Sequence, residues 1–308
     1  MKKFLIRLSI FLVPFAIFFV LVEFYCTNQS TFAIKEQYVE REKGENEILI
    51  LGSSHLQNAL NPDFFRQKTT NLAFAGQTIE INYYLLEKYI NEMPKLKMVL
   101  FEASPHAIYM KFDPEEGNGH IYANLYDIYY KVSPYSVKNY SCLLTNFKFF
   151  SGIYLDYINP LETKYIINKY GFVTNDFYDR FSKLNYDTKK IKESFVMNHG
   201  FDRKDLLALN KEYIDKAVAL CEKKGVKMLL LTPPFYTTYE KAIPADAKKD
   251  MQDMVNQASK HSGLKYYDFS INKNFLVRDF KNDNHLNSNG AKKFSIQIDS
   301  LITQLLNN

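Results

Sequence analysis

Short, unbroken apolar runs alternate with longer stretches of helical periodicity through most of this chain. Residues 47–51 (EILIL) end at Gly52, 71–74 (NLAF) precede Gly76, and 97–101 (KMVLF) lead to Ser104-Pro105. Residues 226–231 (VKMLLL) precede Pro233-Pro234, and 264–269 (LKYYDF) form a fifth run. Continuous apolar runs of this length suit strands covered on both faces. Between them, residues 78–93 carry apolar positions at helical spacing and stop before Pro94, and residues 205–224 do so and end at Gly225. Residues 245–261 read as another helix, and Ser288 is placed to cap a closing helix that runs to about Leu306. Five strands alternating with helices predict an α/β fold, a three-layer sandwich around a five-stranded parallel sheet. In such sheets ligands bind beyond the C-terminal strand ends, so the loops after these runs are where chemistry is expected.

Two segments break the rhythm. Residues 8–22 (LSIFLVPFAIFFVLV) are free of charge and follow Lys2, Lys3 and Arg7. Counting from Phe4 to Tyr25, with Arg7 and Glu23 snorkelling at the ends, the stretch is long enough to cross a bilayer, and Pro14 is placed to kink it. Glu23, Phe24 and Tyr25 do not suit a signal peptidase, and the bulky, charged residues before Cys26 argue against a lipoprotein site. Residues 1–26 are therefore expected to be an uncleaved signal anchor, a single-pass membrane helix. The positive flank would stay in the cytoplasm and the remainder would lie outside it. Residues 27–45, polar and charged, read as a stalk, and 46–306 as the α/β domain. Within that domain, residues 107–204 form an expected insertion of mostly helical character. It is rich in aromatic residues, with 19 Tyr and Phe between Tyr109 and Phe181. Such rings can stack on sugars, sit at a membrane interface, or pack an insert.

Composition narrows the classes further. A chain of 308 residues with 46% hydrophobic content can bury a sizeable core, which excludes intrinsic disorder and collagen-like structure. Three cysteines exclude a disulfide scaffold; Cys142 and Cys221 are a candidate pair in an oxidising compartment, and two buried thiols are the alternative. The net charge of +5 includes +2 from Lys2, Lys3, Arg7 and Glu23, and the balance left on the rest of the chain does not suggest nucleic-acid binding. Lys189, Lys190 and Lys192 read as one solvated helix face.

Candidate chemistry sits at two strand ends. After the first run comes Gly52-Ser53-Ser54-His55. A serine on a tight turn between a buried strand and a helix lies where backbone amides favour an anion, which suits a nucleophilic hydroxyl and its oxyanion. A serine there is also an ordinary helix cap, and the residues alone do not choose between Ser53 and Ser54. After the fifth run comes Asp283-Asn284-His285, just before the last helix. A serine nucleophile needs an imidazole base, and the base needs a partner to hold its tautomer; Asp283 is the nearest carboxylate, with Asp279 and Asp268 as alternatives. His55 reads as a packing or capping residue, with substrate orientation as the alternative, and His106 as part of a proline turn. His120, His199 and His261 have no metal-ligand spacing, and no metal or organic cofactor is expected.

The turn LGSSHLQNALNP (51–62), the segment NLAFAGQT (71–78) and the C-terminal DNHLNSNGA (283–291) together resemble the SGNH, or GDSL-like, hydrolase superfamily. More narrowly they resemble its membrane-anchored bacterial branch, which includes alginate O-acetyltransferases and the D-alanyl transfer protein of teichoic-acid modification. The similarity spans about residues 46–104 and 205–306. It implies a flavodoxin-like arrangement of the sheet, Ser54 as nucleophile, His285 as general base, and the amides of Ser54 and Gly76 as an oxyanion hole. Ser53 stands where many relatives have Asp. Many members carry Asp three residues before the histidine, where this chain has Asn282. Asp283 gives the D-x-H spacing of the alginate enzymes and is the expected orienting carboxylate. The superfamily's Asn-bearing third block is not evident after the third run; Asn118 matches by residue type only, so the oxyanion hole is expected to have two donors.

These expectations describe an extracytoplasmic serine acyltransferase or esterase acting on a cell-envelope polysaccharide. The alternative is a glycan-binding or assembly protein that keeps the fold without turnover. The resemblance also implies a multispanning membrane partner that supplies the acyl group.

Overall fold

The computed structural model describes residues 1–111, 125–132, 141–145, 147–148, 166–175, 179–193, 200–260 and 264–307. Five strands, β1 (Ile48–Leu51), β2 (Thr69–Asn71), β3 (Met98–Glu102), β4 (Lys227–Thr232) and β5 (Leu264–Asp268), form one sheet. Every neighbouring pair is parallel, in the order β2-β1-β3-β4-β5. In this flavodoxin-type order the winding reverses between β1 and β3, and the crevice beyond their C-terminal ends is the usual ligand position. Ile48 lies opposite Thr69 on one side and Met98 on the other, and Met98 opposite Lys227. All residues of β1 and β3 are buried, which is why they appear in the sequence as unbroken apolar runs.

The principal helices are α1 (Lys2–Gln29), α2 (Thr31–Glu42), α3 (Ser54–Ala59), α4 (Ile79–Tyr89), α5 (Leu207–Lys224), α6 (Thr237–Ala242), α7 (Ala245–Ala258) and α8 (Ser288–Asn307). Ile48, Ile50, Met98, Leu100, Leu229 and Leu231 share one face of the sheet. They form a core with Leu56 of α3 and with Phe294, Ile298 and Ile302 of α8. The alternate strand residues point the other way, towards the side on which α4 packs against α5. Local chemistry sets the helix ends. Thr78 Oγ1 accepts from Ile81 N–H to cap α4, and Gly225 adopts φ 67° to end α5, a conformation that glycine takes without strain. The closing helix is capped by Asn287 rather than Ser288. Asn287 Oδ1 accepts from Gly290 N–H at 3.0 Å, while the Ser288 hydroxyl donates to the carbonyl of Thr174.

The polar segment 27–45, expected as a stalk, is helical over most of its length. Ser30 (φ −73°, ψ 156°) breaks the chain into α1 and α2, and α2 buries Phe32, Ala33, Tyr38 and Val39. Their spacing puts one apolar stripe on a helix whose average composition is polar. β2 begins two residues earlier than its apolar stretch, at the buried pair Thr69 and Thr70.

The chain divides into two compact units. One comprises Met1–Glu36 with Pro114–Lys164. Its α1 is long and apolar enough to cross a membrane, with a mean hydropathy of 2.6 over its most apolar 18 residues, and side chains such as Phe11 and Phe18 are exposed along it. Phe32 contacts the rings of Tyr126, Tyr129 and Tyr130, and Glu23 Oε2 accepts from Ser141 Oγ and Leu143 N–H. The other unit, Gln37–Asp113 with Tyr165–Asn308, contains the sheet. Described parts of the expected insertion lie in both units; Phe181 and Ile191 belong to the core under the sheet. Cys221 is a buried free thiol on α5.

Candidate active site

The site is built where β1 passes into α3. Ser53 is the cap of that helix, its Oγ accepting from His55 N–H at 3.3 Å, and Ser54 is the first helical residue. The first amides of a helix have no intrahelical carbonyl partner, so the Ser54 N–H belongs to the set that can hold an anion. Capping thus separates two serines that composition could not. Ser53 is 3% exposed and turned into the protein, whereas Ser54 is half-buried and reaches His285.

Ser54 Oγ lies 2.8 Å from His285 Nε2, across 231 positions of sequence. The other ring nitrogen, Nδ1, lies 3.1 Å from Asn282 Oδ1. An amide oxygen can only accept, so Nδ1 carries the proton and Nε2 presents its lone pair to the serine hydroxyl. The same Asn282 oxygen accepts from the backbone N–H of His285 at 2.9 Å and of Asn284 at 3.2 Å. It therefore shapes the loop as well as the ring.

The carboxylates expected to orient His285 are engaged elsewhere. Asp283 is 2% exposed and pairs with Arg180 through Oδ2 and with the Thr238 hydroxyl through Oδ1. Asp279 accepts from Lys293 Nζ and Leu276 N–H, and Asp268 from Ser270 N–H. The tight turn around Asn282 points neighbouring side chains in opposite directions, so the residue nearer the histidine in sequence is the farther one in chemistry.

Gly76 has φ 74° and lies in the loop after β2. That loop is tied to the serine turn, since Phe74 N–H donates to the carbonyl of Gly52 at 3.0 Å. Asn71 Nδ2 donates to the carbonyls of Leu56 and Leu60 and so closes the C-terminal end of α3. Asn118, His120, His199 and His261 lie outside the described residues, as does the side chain of Cys142.

Behind the serine turn lies a buried polar cluster. Glu102, the last residue of β3, accepts from Ser53 N–H at 2.5 Å and from Ser53 Oγ at 3.0 Å. His55 Nδ1 and His106 Nε2 each lie 3.6 Å from its Oε1, and the two imidazoles are 4.0 Å apart. Burial pushes the Glu102 carboxyl up from its ordinary range, and the hydrogen bonds from Ser53 pull it back. His55 does not reach a substrate position: it is 1% exposed, enclosed by Phe235 and Tyr239, and receives the Asn284 amide at Nε2 at 3.1 Å. His55, Glu102 and His106 are close enough to share a cation. Both oxygens of Glu102 are nevertheless engaged by the serine turn. Glu102 was visible in the sequence as a charge closing a wholly apolar run; its link to the site was not.

No family model matches the chain, and no curated protein does. Solved structures resemble it. A GDSL-like lipase from Bacteroides thetaiotaomicron shares 10% identity, covers 89% of this chain and 98% of its own, and gives a TM-score of 0.39. A Bacteroides fragilis protein assigned as an acylhydrolase shares 12% identity over 88% of this chain and 95% of its own, with a TM-score of 0.41. A Streptococcus pneumoniae protein assigned as a platelet activating factor shares 8% identity over 97% and 99%, with a TM-score of 0.40. At such values the likeness stands as a resemblance only. The sheet order and the side-chain geometry define an α/β protein with a Ser–His–Asn constellation at its topological switch point.

Proposed function

We propose that the chain is a membrane-anchored serine acyltransferase or esterase, acting outside the cytoplasm on a cell-envelope polysaccharide. One observation carries the reading: Ser54 Oγ and His285 Nε2 are 2.8 Å apart, with Nδ1 held by Asn282. In the reaction, Ser54 Oγ attacks the acyl carbonyl carbon and its proton passes to His285 Nε2. The Ser54 amide, at the start of α3, and the Gly76 amide are the donors this reading assigns to the developing oxyanion. The imidazolium then protonates the departing alkoxide, leaving an ester on Ser54. A sugar hydroxyl, or water in an esterase, gives its proton to His285, attacks that ester and frees the serine. The apolar α1 supports an anchored enzyme, because tethering concentrates the site near membrane-bound acceptors.

Labelling of the full-length protein in detergent with a fluorophosphonate tests this. Wild type should label at Ser54. Ser54→Ala should abolish labelling, and Ser53→Ala should reduce it less, since it removes a cap worth about 1 kcal/mol. Labelling that survives Ser54→Ala sinks the assignment. A second reading, a binding or assembly protein without turnover, is favoured by the neutral amide of Asn282 in place of a carboxylate. Absence of both labelling and acyl transfer to an oligosaccharide would select it.

A further inference from the structure

The Ser54–His285 pair rests on a second polar chain that the reaction does not touch. Glu102 stands on the strand across the switch point from β1, and its side chain is 1% exposed. Its two oxygens take the amide and the hydroxyl of Ser53, so the residue immediately before the nucleophile is held at two points. Gly52 leaves room for this approach: a Cβ there would lie 2.7 Å from Glu102 Oε2. On its other side Glu102 faces Nδ1 of His55 at 3.6 Å. The Asn284 amide N–H lies on His55 Nε2, so that nitrogen is the acceptor and the ring proton sits on Nδ1, towards the carboxylate. Asn284 in turn donates its own N–H to Asn282 Oδ1, the oxygen that holds His285.

A path of polar contacts therefore runs from the serine turn to the histidine loop through Glu102, His55 and Asn284, its Glu102–His55 step a 3.6 Å contact and the others hydrogen bonds. A buried carboxylate without hydrogen bonds and a cationic or polarised neighbour is costly, and an apolar residue could fill the same volume. What the carboxylate supplies, and an apolar side chain could not, is a common anchor for both loops. Resting on the reading of Ser54 as the nucleophile, we infer that Glu102, acting through Ser53 and His55, is the positioning residue that holds the serine turn and the histidine loop in register. His106 completes the cluster, with Nε2 3.3 Å from Ser53 Oγ.

The test uses the full-length protein in detergent and reads the concentration dependence of fluorophosphonate labelling, which separates the maximal rate from the binding constant. Glu102→Gln keeps the shape but presents an NH2 group to the Ser53 donors. It should slow the maximal rate about 10²-fold, the scale of an ångström-sized misplacement, and leave the binding constant within about 2-fold. Asn284→Ala should slow the same step. Because both act on one path, the double variant should be no slower than the worse single variant by more than about 3-fold, rather than the product of the two losses. Should Glu102→Gln fail to fold, His55→Phe keeps the ring packing while removing both nitrogens, and should give the same loss of maximal rate. A wild type that does not label overturns the nucleophile reading and this inference with it. A wild type that labels, with losses that multiply or that fall on the binding constant, overturns the inference alone.

Discussion

At the scale of single residues, the site turns on which of two neighbours faces His285. Asn282 Oδ1 meets Nδ1, while Asp283 is bound to Arg180 and Thr238. An amide fixes tautomer and orientation as a carboxylate does, but adds no charge to stabilise the imidazolium; Cys–His–Asn proteases work with the same arrangement. Asn282→Ala should therefore lower the labelling rate about 10²-fold or more, because the ring loses its orientation. Asp283→Asn should alter labelling less and instead cost about 1–3 kcal/mol of stability, since it weakens a buried acceptor for a guanidinium and a hydroxyl. Paired labelling and chemical-denaturation measurements check this, and the opposite ranking would return the orienting role to Asp283. The sequence contained both residues but not the turn that separates them. Likewise Ser53 and Ser54 differ only in which one caps α3, a backbone property that residue identity does not encode.

At the scale of elements, the apolar runs of β1, β3 and β4 were legible because strands buried on both faces contain little else. β2 was displaced because its buried residues are two threonines and an asparagine, which carry no hydrophobic signal. α2 was missed because its buried stripe is diluted by charge. Two glycines show how closely the elements approach around the site. A Cβ on Gly52 would meet Glu102 Oε2 at 2.7 Å and Glu102 Cβ at 2.8 Å. On Gly290, in the first turn of α8, it would lie 2.1 Å from the carbonyl oxygen of Asp279. Both clashes involve atoms that cannot swing aside freely, and overpacking of this kind typically costs about 1–3 kcal/mol. Gly52→Ala and Gly290→Ala should each lower the unfolding free energy by that order. Gly52→Ala should in addition depress labelling, because the displaced atom is the anchor of Ser53. Unchanged denaturation midpoints in both would show that the Glu102 side chain and the turn at Asp279 can give way without loss.

At the scale of the whole molecule, the proposed chemistry and the proposed anchor fall in different compact units. Ser54, His285, Asn282 and Glu102 all belong to the unit that contains the sheet, and α1 to the other. The exposed apolar surface of α1 has no counterpart in the described core of the sheet unit, so its removal should change where the protein resides and not what its site can do. Glu23 and Thr27, near the end of α1, do have a structural role: Glu23 accepts from Ser141 and Leu143, and the Thr27 carbonyl from the Tyr129 hydroxyl. A deletion should therefore stop short of them. Cells producing a chain that lacks residues 2–22 should release it from the membrane fraction, while full-length protein resists alkaline carbonate extraction. The soluble protein should label at Ser54 at a rate within about 3-fold of the full-length protein in detergent, because burial of an apolar helix in lipid and alignment of a hydroxyl with an imidazole depend on different contacts. A deletion that stays membrane-bound would show that α1 is not the anchor, and one that is soluble but silent would show that the site depends on the unit that α1 completes.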